Sequence, residues 1–508
     1  MVGGQADRKY YNYFSARKNV LSDNDKPYLG LATGGADGTS MLISNTITKH
    51  ATAGFFGRIN YAFGNRYFIE ANIRRDGSSK FPTHLRWQTF PSFSGGWIFT
   101  NEKFMKKVEP VLSFGKIRAS WGSIGDQSVA NTLYLSTLSG SQSNWLDGSG
   151  NKTTQYGTPS LVDYDITWQR IETLDLGADL RFWKNQIGIT FDWFQRDTKN
   201  MIIPGEDLPV TLGTTAPRGN YGSLRTRGWE IALDWGFRFS NGLGINGMAT
   251  LSDAVTNITK GADWATPWEN RLLSNAYSTG RRYGDIYGYV TDRLFQKDDF
   301  VYGADGQIEK TTVIYNGTAR TTHRQTAKYP VYQVHGFRLG ADWKGVDFSI
   351  FFQGIGQRKI WGKGQLAIPG YHAKDGGLPK TFTKDYWTED NTDAFYPRAW
   401  NLGGADSGFG MQVQSKYLLN MAYLRIKNIT LGYSVPTKVL SKAKISKARV
   451  YVSLENFFTF DHLRGLPIDP EAISGYSMFT DSNNYNLGRT GTGTPVFKSV
   501  SFGVQLSF

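Results

Sequence analysis

Six histidines are the first residues to test for chemistry: His50, His84, His323, His335, His372 and His462. They are scattered, and neither an HExxH nor a His-x-His pair occurs, so the arrangement that places two imidazoles on one metal is missing. They read as loop or rim histidines. There is no cysteine, which removes thiol catalysis, disulfides and Cys-ligated zinc or iron–sulfur centres. No GxxxxGK[ST] phosphate loop is present; Gly354-Ile-Gly356 lies in an extended stretch and Gly488–Gly493 precedes one, whereas phosphate loops open helices. No G-x-S-x-G elbow supports a nucleophilic serine. Asp23/Asp25 and Glu389/Asp390/Asp393 offer oxygen ligands without EF-hand spacing and read as solvated loops. The residues point to no enzyme, no metal and no cofactor. What they do offer is aromatic surface. Trp145, Tyr156, Trp264, Trp268, Tyr371, Trp387, Tyr396 and Trp400 fall in long polar segments. Flat rings with a hydrogen-bonding edge stack on sugars or peptides, or else pack the loops or bind a partner protein. The stretch 379–402, rich in Trp, Tyr and Asp, is the preferred loop for either role.

The elements that carry these residues show up in the period. The chain has 508 residues, 58 of them glycine, and 15% aromatic content against 40% hydrophobic overall. No apolar run reaches the 18 residues a transmembrane helix needs, and Met1–Arg8 lacks the apolar stretch of a signal peptide. Leu174, Leu176, Ala178, Leu180 and Phe182 alternate with Asp175, Gly177, Asp179 and Arg181. A turn at Lys184-Asn185 follows, and alternation resumes through Ile187, Ile189, Phe191 and Trp193. That is a β-hairpin with one apolar and one charged face. The pattern recurs at Phe55–Phe63, Tyr67–Arg74, Trp229–Phe237, Phe337–Trp343 and Phe348–Gln353.

A soluble sandwich alternates too. Three features favour a membrane barrel. The strands run roughly 10–16 residues, against a usual five or six. Aromatics gather at strand ends (Phe182/Trp183, Trp235/Phe237, Trp343), as interfacial girdles do. Tight turns near 64–65, 184–185, 240–242 and 344–346 interleave with long segments near 125–164, 255–330, 361–415 and 461–493. Short turns on one rim and long loops on the other are the outer-membrane signature. Counting back from the C-terminus places strands near 495–508, 447–459, 417–433, 347–360, 331–343, 243–254, 220–238, 186–203, 165–183, 111–123, 86–100, 66–75 and 51–63. One more before His50 makes about 14, with strands from about residue 40 onward. Within 417–433 the apolar phase switches from Leu424 and Ile426 to Ile429, Leu431 and Tyr433, which predicts a bulge at Lys427-Asn428. In the last strand Val500, Phe502, Val504, Leu506 and Phe508 alternate with small polar residues, and a terminal aromatic on such a strand is the expected barrel-assembly signal.

The formal charge of +14 raises nucleic acid as a partner. Many of its carriers instead lie on lumen-facing strand positions (Arg58, Arg74, Arg181, Arg196) or in loops, where some would meet anionic outer-leaflet lipid. A basic lumen favouring acidic solutes stays open, as does mutual pairing of lumen charges, with Asp179 the natural partner for Arg181.

Several segments resemble the SusC/RagA-like TonB-dependent outer-membrane transporters. They are Phe90-Pro-Ser-Phe-Ser-Gly-Gly-Trp97 with Asn101-Glu-Lys-Phe-Met105, and Lys116-Ile-Arg-Ala-Ser-Trp-Gly-Ser-Ile-Gly-Asp-Gln127. Further on come Tyr423-Leu-Arg-Ile-Lys-Asn-Ile-Thr-Leu-Gly-Tyr-Ser-Val-Pro436, Glu455-Asn-Phe-Phe-Thr-Phe460, Asp469-Pro-Glu471 and the terminal strand. The resemblance spans residues 1–508 but matches only the C-terminal part of that family. It implies about 14 strands of a 22-stranded barrel, with the globular plug and TonB-contacting segment not in this sequence. Either the chain is one fragment of a longer product, or its missing half is a separate polypeptide. It further implies import of oligosaccharides or oligopeptides under a SusD-like surface lipoprotein, driven through TonB and the plug. The location implied is the outer membrane of a Gram-negative bacterium, among lipopolysaccharide, with the C-terminus periplasmic and a homodimeric assembly open. The alternatives are a passive porin-like channel and a surface-exposed adhesin or enzyme.

Overall fold

The computed structural model describes the chain except residues 20–24, 26–27, 33–40, 262–278, 284–292, 295, 312–333, 363–379, 381–384, 398–414, 441–444, 472–495 and 508. Fourteen antiparallel strands make one sheet whose neighbours follow chain order. They begin with β1 (Val2–Lys18), β2 (Met41–Phe63), β3 (Tyr67–Ser78), β4 (Trp87–Trp97) and β5 (Leu112–Asp126). A small hairpin, β6 (Gly140–Leu146) with β7 (Lys152–Tyr156), then leaves the sheet. The sheet resumes with β8 (Gln169–Phe182), β9 (Ile187–Pro204), β10 (Arg218–Arg238) and β11 (Gly244–Lys260). A second hairpin follows, β12 (Phe300–Tyr302) with β13 (Ile308–Thr311). Next come β14 (Val334–Trp343) and β15 (Val346–Ile355), and after them a third small pair, β16 (Lys359–Trp361) with β17 (Leu418–Asn420). The sheet ends on β18 (Tyr423–Ser434), β19 (Lys447–Asp461) and β20 (Ser499–Ser507). No described helix is long and apolar enough to cross a membrane.

Turn chemistry fixes the tight rim. Trp343 pairs with Val346 across Lys344-Gly345, whose φ values of 48° and 90° make the two-residue turn whose twist matches the strands. Gly64 and Asn65, then Lys184 and Asn185, take the same left-handed region. The predicted bulge is present. Asn428 pairs with Phe351 and Ile426 with Phe352, which leaves Lys427 between two partners. That extra residue is what switches the apolar phase.

One strand starts earlier than the sequence suggested. β1 begins at Val2, not near residue 40, and pairs with β2 from Val2↔Gly57 to Lys18↔Met41. The extra strand expected before His50 is therefore β1, with β2 extended back to Met41. Its tyrosines explain the difference: Tyr10, Tyr11, Tyr13 and Phe14 occupy both parities, so no period of two appears.

The apolar face points outward. Ile59, Phe55, Ile69, Ile73, Val504 and Phe502 are exposed, Ile59 at 72% and Phe502 at 84%. On the opposite face, charges pair: Arg58 with Glu70 at 2.7 Å and Arg74 with Asp76 at 2.7 Å. A sandwich in water would have the reverse arrangement.

By packing, the chain divides into two compact units. One comprises Met1–Gly96, Ala119–Leu174 and Arg196–Leu224; the other comprises Trp97–Arg118, Asp175–Gln195 and Arg225–Phe508. Phe81, Phe90, Ile166 and Trp168 form a buried core in the first. Ile360, Tyr396, Tyr417, Met421, Leu463, Leu466 and Ile468 form one in the second.

Candidate functional site

On the charged face of the second unit, four ion pairs reach past the nearest neighbour to the strand beyond. Arg118 on β5 meets Asp192 on β9 at 2.6 Å, and Arg181 on β8 meets Asp234 on β10 at 2.5 Å. Arg238 on β10 meets Asp342 on β14 at 3.0 Å, and Arg449 on β19 meets Asp347 on β15 at 2.5 Å. In each case a glycine stands on the strand crossed: Gly177, Gly188, Gly244 and Gly432 respectively. A Cβ on any of the four would overlap the carboxylate or guanidinium passing above it. These glycines therefore serve clearance, not backbone freedom. Strands sit about 4.8 Å apart, so a pair spanning two of them needs an arginine's length and an empty middle position. The sequence suggested Asp179 as the partner of Arg181. Asp179 instead accepts from Arg118 at 3.0 Å, because Arg118 also faces Asp175 at 3.7 Å and gathers the nearest carboxylates.

The segments behind the family resemblance pack in separate local groups. Over Gly125 lies the Phe90 ring, Phe93 stacks on Trp121 with centroids 6.3 Å apart, and Phe99 lies over Gly115. Trp97 Nε1 donates to Glu102 at 3.3 Å. Farther along, Arg425 on β18 is almost wholly buried and is held by three residues from two segments. Its Nε donates to Thr459 Oγ1 at 2.8 Å and its Nη2 to Asp469 Oδ1 at 2.7 Å, while its Nη1 pairs with Glu471. Lys427 Nζ reaches Glu471 at 3.0 Å, which gives the bulge a second role in aiming this amine. Asp469 also accepts the backbone N–H groups of Glu471 at 2.9 Å and Val496 at 3.1 Å. Burial pushes the Asp469 carboxyl up, but Arg425 and those N–H groups outweigh it and hold it below the usual range.

The aromatic candidates divide. Trp264, Trp268, Tyr371 and Trp400 lie outside the described residues, as does Phe508. Trp145 on β6 and Tyr156 on β7 project freely, 81% and 73% exposed. Trp387 is half-buried and its Nε1 donates to Gln296 Oε1 at 3.3 Å. Tyr396 is buried at 5% exposure, its ring edge-on to Phe395 with centroids 4.9 Å apart. In this conformation neither Tyr396 face is open to a solute, and the packing alternative describes it. Glu389 pairs with Lys297 at 3.1 Å, and among the described residues no group of three or more His, Asp or Glu is disposed to hold a metal ion. Phe502, Val504 and Leu506 of the terminal strand are exposed on the apolar face.

Sequential antiparallel strands, an outward apolar face and a charged face closed by ion pairs define the wall of a membrane-spanning β-barrel. The chain belongs to the TonB-dependent receptor-like β-barrel family, whose model matches residues 2–355. It is 25% identical to TonB-dependent receptor P3 of Formosa agariphila, over all of this chain and 50% of that protein. It is 26% identical to the TonB-dependent receptor SusC of Bacteroides thetaiotaomicron, over 96% of this chain and 47% of SusC. The RagAB peptide transporter shares its fold, with a TM-score of 0.72 at 22% identity, covering all of this chain and 53% of the matched one. The chain thus spans about half the length of the relatives it matches.

Proposed function

We propose that the chain is the C-terminal part of the barrel of a TonB-dependent importer in the outer membrane of a Gram-negative bacterium. It forms the wall through which an oligosaccharide or oligopeptide passes. The observation that carries this reading is the inverted sheet: apolar residues such as Ile59 and Phe502 face out while Arg and Asp side chains pair on the other face. Its likeness to SusC and to the RagAB peptide transporter supports import over other uses of a barrel. The long connections 125–164, 255–330, 361–415 and 461–493 are the extracellular loops in this reading, and the tight turns with the C-terminus are periplasmic. The chain catalyses no bond chemistry. Trp145 and Tyr156 present rings to the solute or to a SusD-like lipoprotein, a plug and TonB supply gating and energy, and Phe502, Val504, Leu506 and Phe508 form the assembly signal.

The test is uptake of labelled oligomers by intact cells carrying the full receptor, with and without a protonophore, beside planar-bilayer conductance of the purified assembly. Uptake that collapses with the proton-motive force, from an electrically silent assembly, supports the importer. A steady ohmic conductance with protonophore-insensitive uptake would replace it with a passive channel.

A further inference from the structure

In the second unit, hydrogen bonds tie each tight connection to the next. Trp183 N–H donates to Val111 O at 2.9 Å, Gly236 N–H to Gln186 O at 2.9 Å and Trp343 Nε1 to Asn241 O at 3.3 Å. The connections 98–111, 183–186, 239–243 and 344–345 therefore make one continuous rim, all of it described. Its charge is one-sided: Lys103, Lys106, Lys107, Lys184 and Lys344 stand against Glu102 and Glu109. Of those two, Glu102 is engaged by Trp97 Nε1. The aspartates at the adjoining strand ends, Asp342 and Asp347, are held on the charged face by Arg238 and Arg449. The lysines lie beside the other face. Trp343 follows Asp342 in the strand and so points outward, and Lys344 Nζ sits 4.6 Å from the centroid of its ring. Phe99 covers Gly115, which has the parity of exposed Ile117 and not of Arg118. Segment 98–111 thus runs along the outward face, where it exposes Phe104 between Lys103 and Lys106. Turn chemistry does not ask for these lysines either. Lys184 and Lys344 hold φ values of 55° and 48°, where tight turns favour Asn or Gly.

We propose that this rim is a belt for the headgroups of anionic phospholipids in the membrane leaflet facing the periplasm. Exposed rings such as Trp343 and Trp183 suit the boundary between acyl chains and water. A lysine beside such a ring lays its stem along apolar surface and lifts its ammonium to the height of the phosphates. There the ammonium acts as a compact point charge, drawn to an anionic surface over a Debye length. Because the lysines flank outward rings, they meet lipid and not a solute in the lumen. The belt sets the depth at which the wall sits in the bilayer. It rests on the reading above in which the tight turns are periplasmic, and it adds the lipid class they contact.

The experiment is native mass spectrometry of the full receptor assembly, delipidated in detergent and titrated at low salt with dioleoyl phosphatidylglycerol or dioleoyl phosphatidylcholine. One variant joins Lys184→Asn to Lys344→Asn, since asparagine tolerates the left-handed backbone. A second joins Lys103→Gln, Lys106→Gln and Lys107→Gln, and a third carries all five changes. The control joins Lys152→Gln to Lys260→Gln, two lysines of the long connections. The expected result is roughly tenfold tighter binding of phosphatidylglycerol, since each lysine near an anionic surface contributes modestly. That preference falls in the first two variants, is lost in the third and persists in the control, while phosphatidylcholine binds equally throughout. Equal binding of the two lipids, a preference that survives all five changes, or an equal fall in the control overturns the belt and leaves the membrane wall standing. Retention of neither lipid by the wild-type assembly overturns the membrane reading and the belt with it.

Discussion

Replacing Arg425 with methionine keeps the aliphatic stem and removes the guanidinium that holds residues 469–471 against β18. Arg425 and Asp469 are both nearly excluded from water, with side chains 4% and 8% exposed. Deleting one member of a buried pair costs about 3–5 kcal/mol, because the other charge stays buried without compensation. Lys427 remains to pair with Glu471, which places the expected loss near the lower end, about 3 kcal/mol. At 1.4 kcal/mol per decade, local opening becomes roughly a hundredfold more populated. Two amides report it directly, since Glu471 N–H and Val496 N–H both donate to Asp469. Hydrogen–deuterium exchange of the assembled receptor in detergent should show these two accelerated by about two orders of magnitude. The β18–β19 ladder, Tyr423↔Asp461 to Ser434↔Arg449, should stay protected. The same latch responds to acid. Because the folded Asp469 carboxyl lies below its ordinary value, its contribution is complete above about pH 4 and is lost as pH falls through the depressed value. Acceleration of less than threefold, or equal acceleration of the strand amides, would refute the assignment of this network as a local latch.

The bridged ion pairs separate steric from electrostatic cost. Gly188→Val should lower the unfolding free energy in urea by about 1–3 kcal/mol through overpacking against Arg181. Asp234→Asn, at a half-exposed pair, should cost under about 1 kcal/mol; comparable losses in the two would mean the glycine is not there for clearance. Trp145→Ala with Tyr156→Ala should weaken oligomer or lipoprotein binding by roughly tenfold while leaving heat stability of the sheet unchanged, since both rings are mostly exposed. Phe508→Ser should reduce the folded fraction recovered from outer membranes, read as the band that migrates faster before boiling; an unchanged fraction would remove the assembly role of the terminus.

The alternation of Leu174 to Phe182, the glycine turns and the bulge at Lys427 are local properties, and each was legible from the chain. A two-residue period reports a sheet face, and φ above zero at Lys344-Gly345 is needed wherever two adjacent strands close in two residues. β1 was obscured because its tyrosines occupy both faces. The charge network was not legible for a different reason. Arg449 and Asp347 are 102 positions apart, and nothing in either strand states which neighbour lies two strands away. A glycine such as Gly432 reads as an ordinary strand glycine until the pair crossing it is known. Loop aromatics fail similarly. Trp145 and Tyr396 sit in equally polar surroundings in the sequence, yet one projects into solvent and the other is core, because burial of a loop residue depends on which other loops arrive beside it.

That difference follows from where this protein meets water. In the strands, the outward apolar face gains its stabilisation from lipid, so the opposite face can carry paired charge. Beyond the strands, the long connections stand in water and must bury apolar surface against one another to be ordered at all. The two buried clusters are accordingly built in large part from connection residues. Phe81 and Ile166 lie in one; Tyr396, Tyr417, Met421, Leu463, Leu466 and Ile468 lie in the other. Arg425 sits where the two regimes join, on a strand yet buried by a returning loop, and it is there that charge is both fully desolvated and fully paired. Loops ordered in this way on a lipid-stabilised wall hold exposed rings such as Trp145 and Tyr156 at fixed positions.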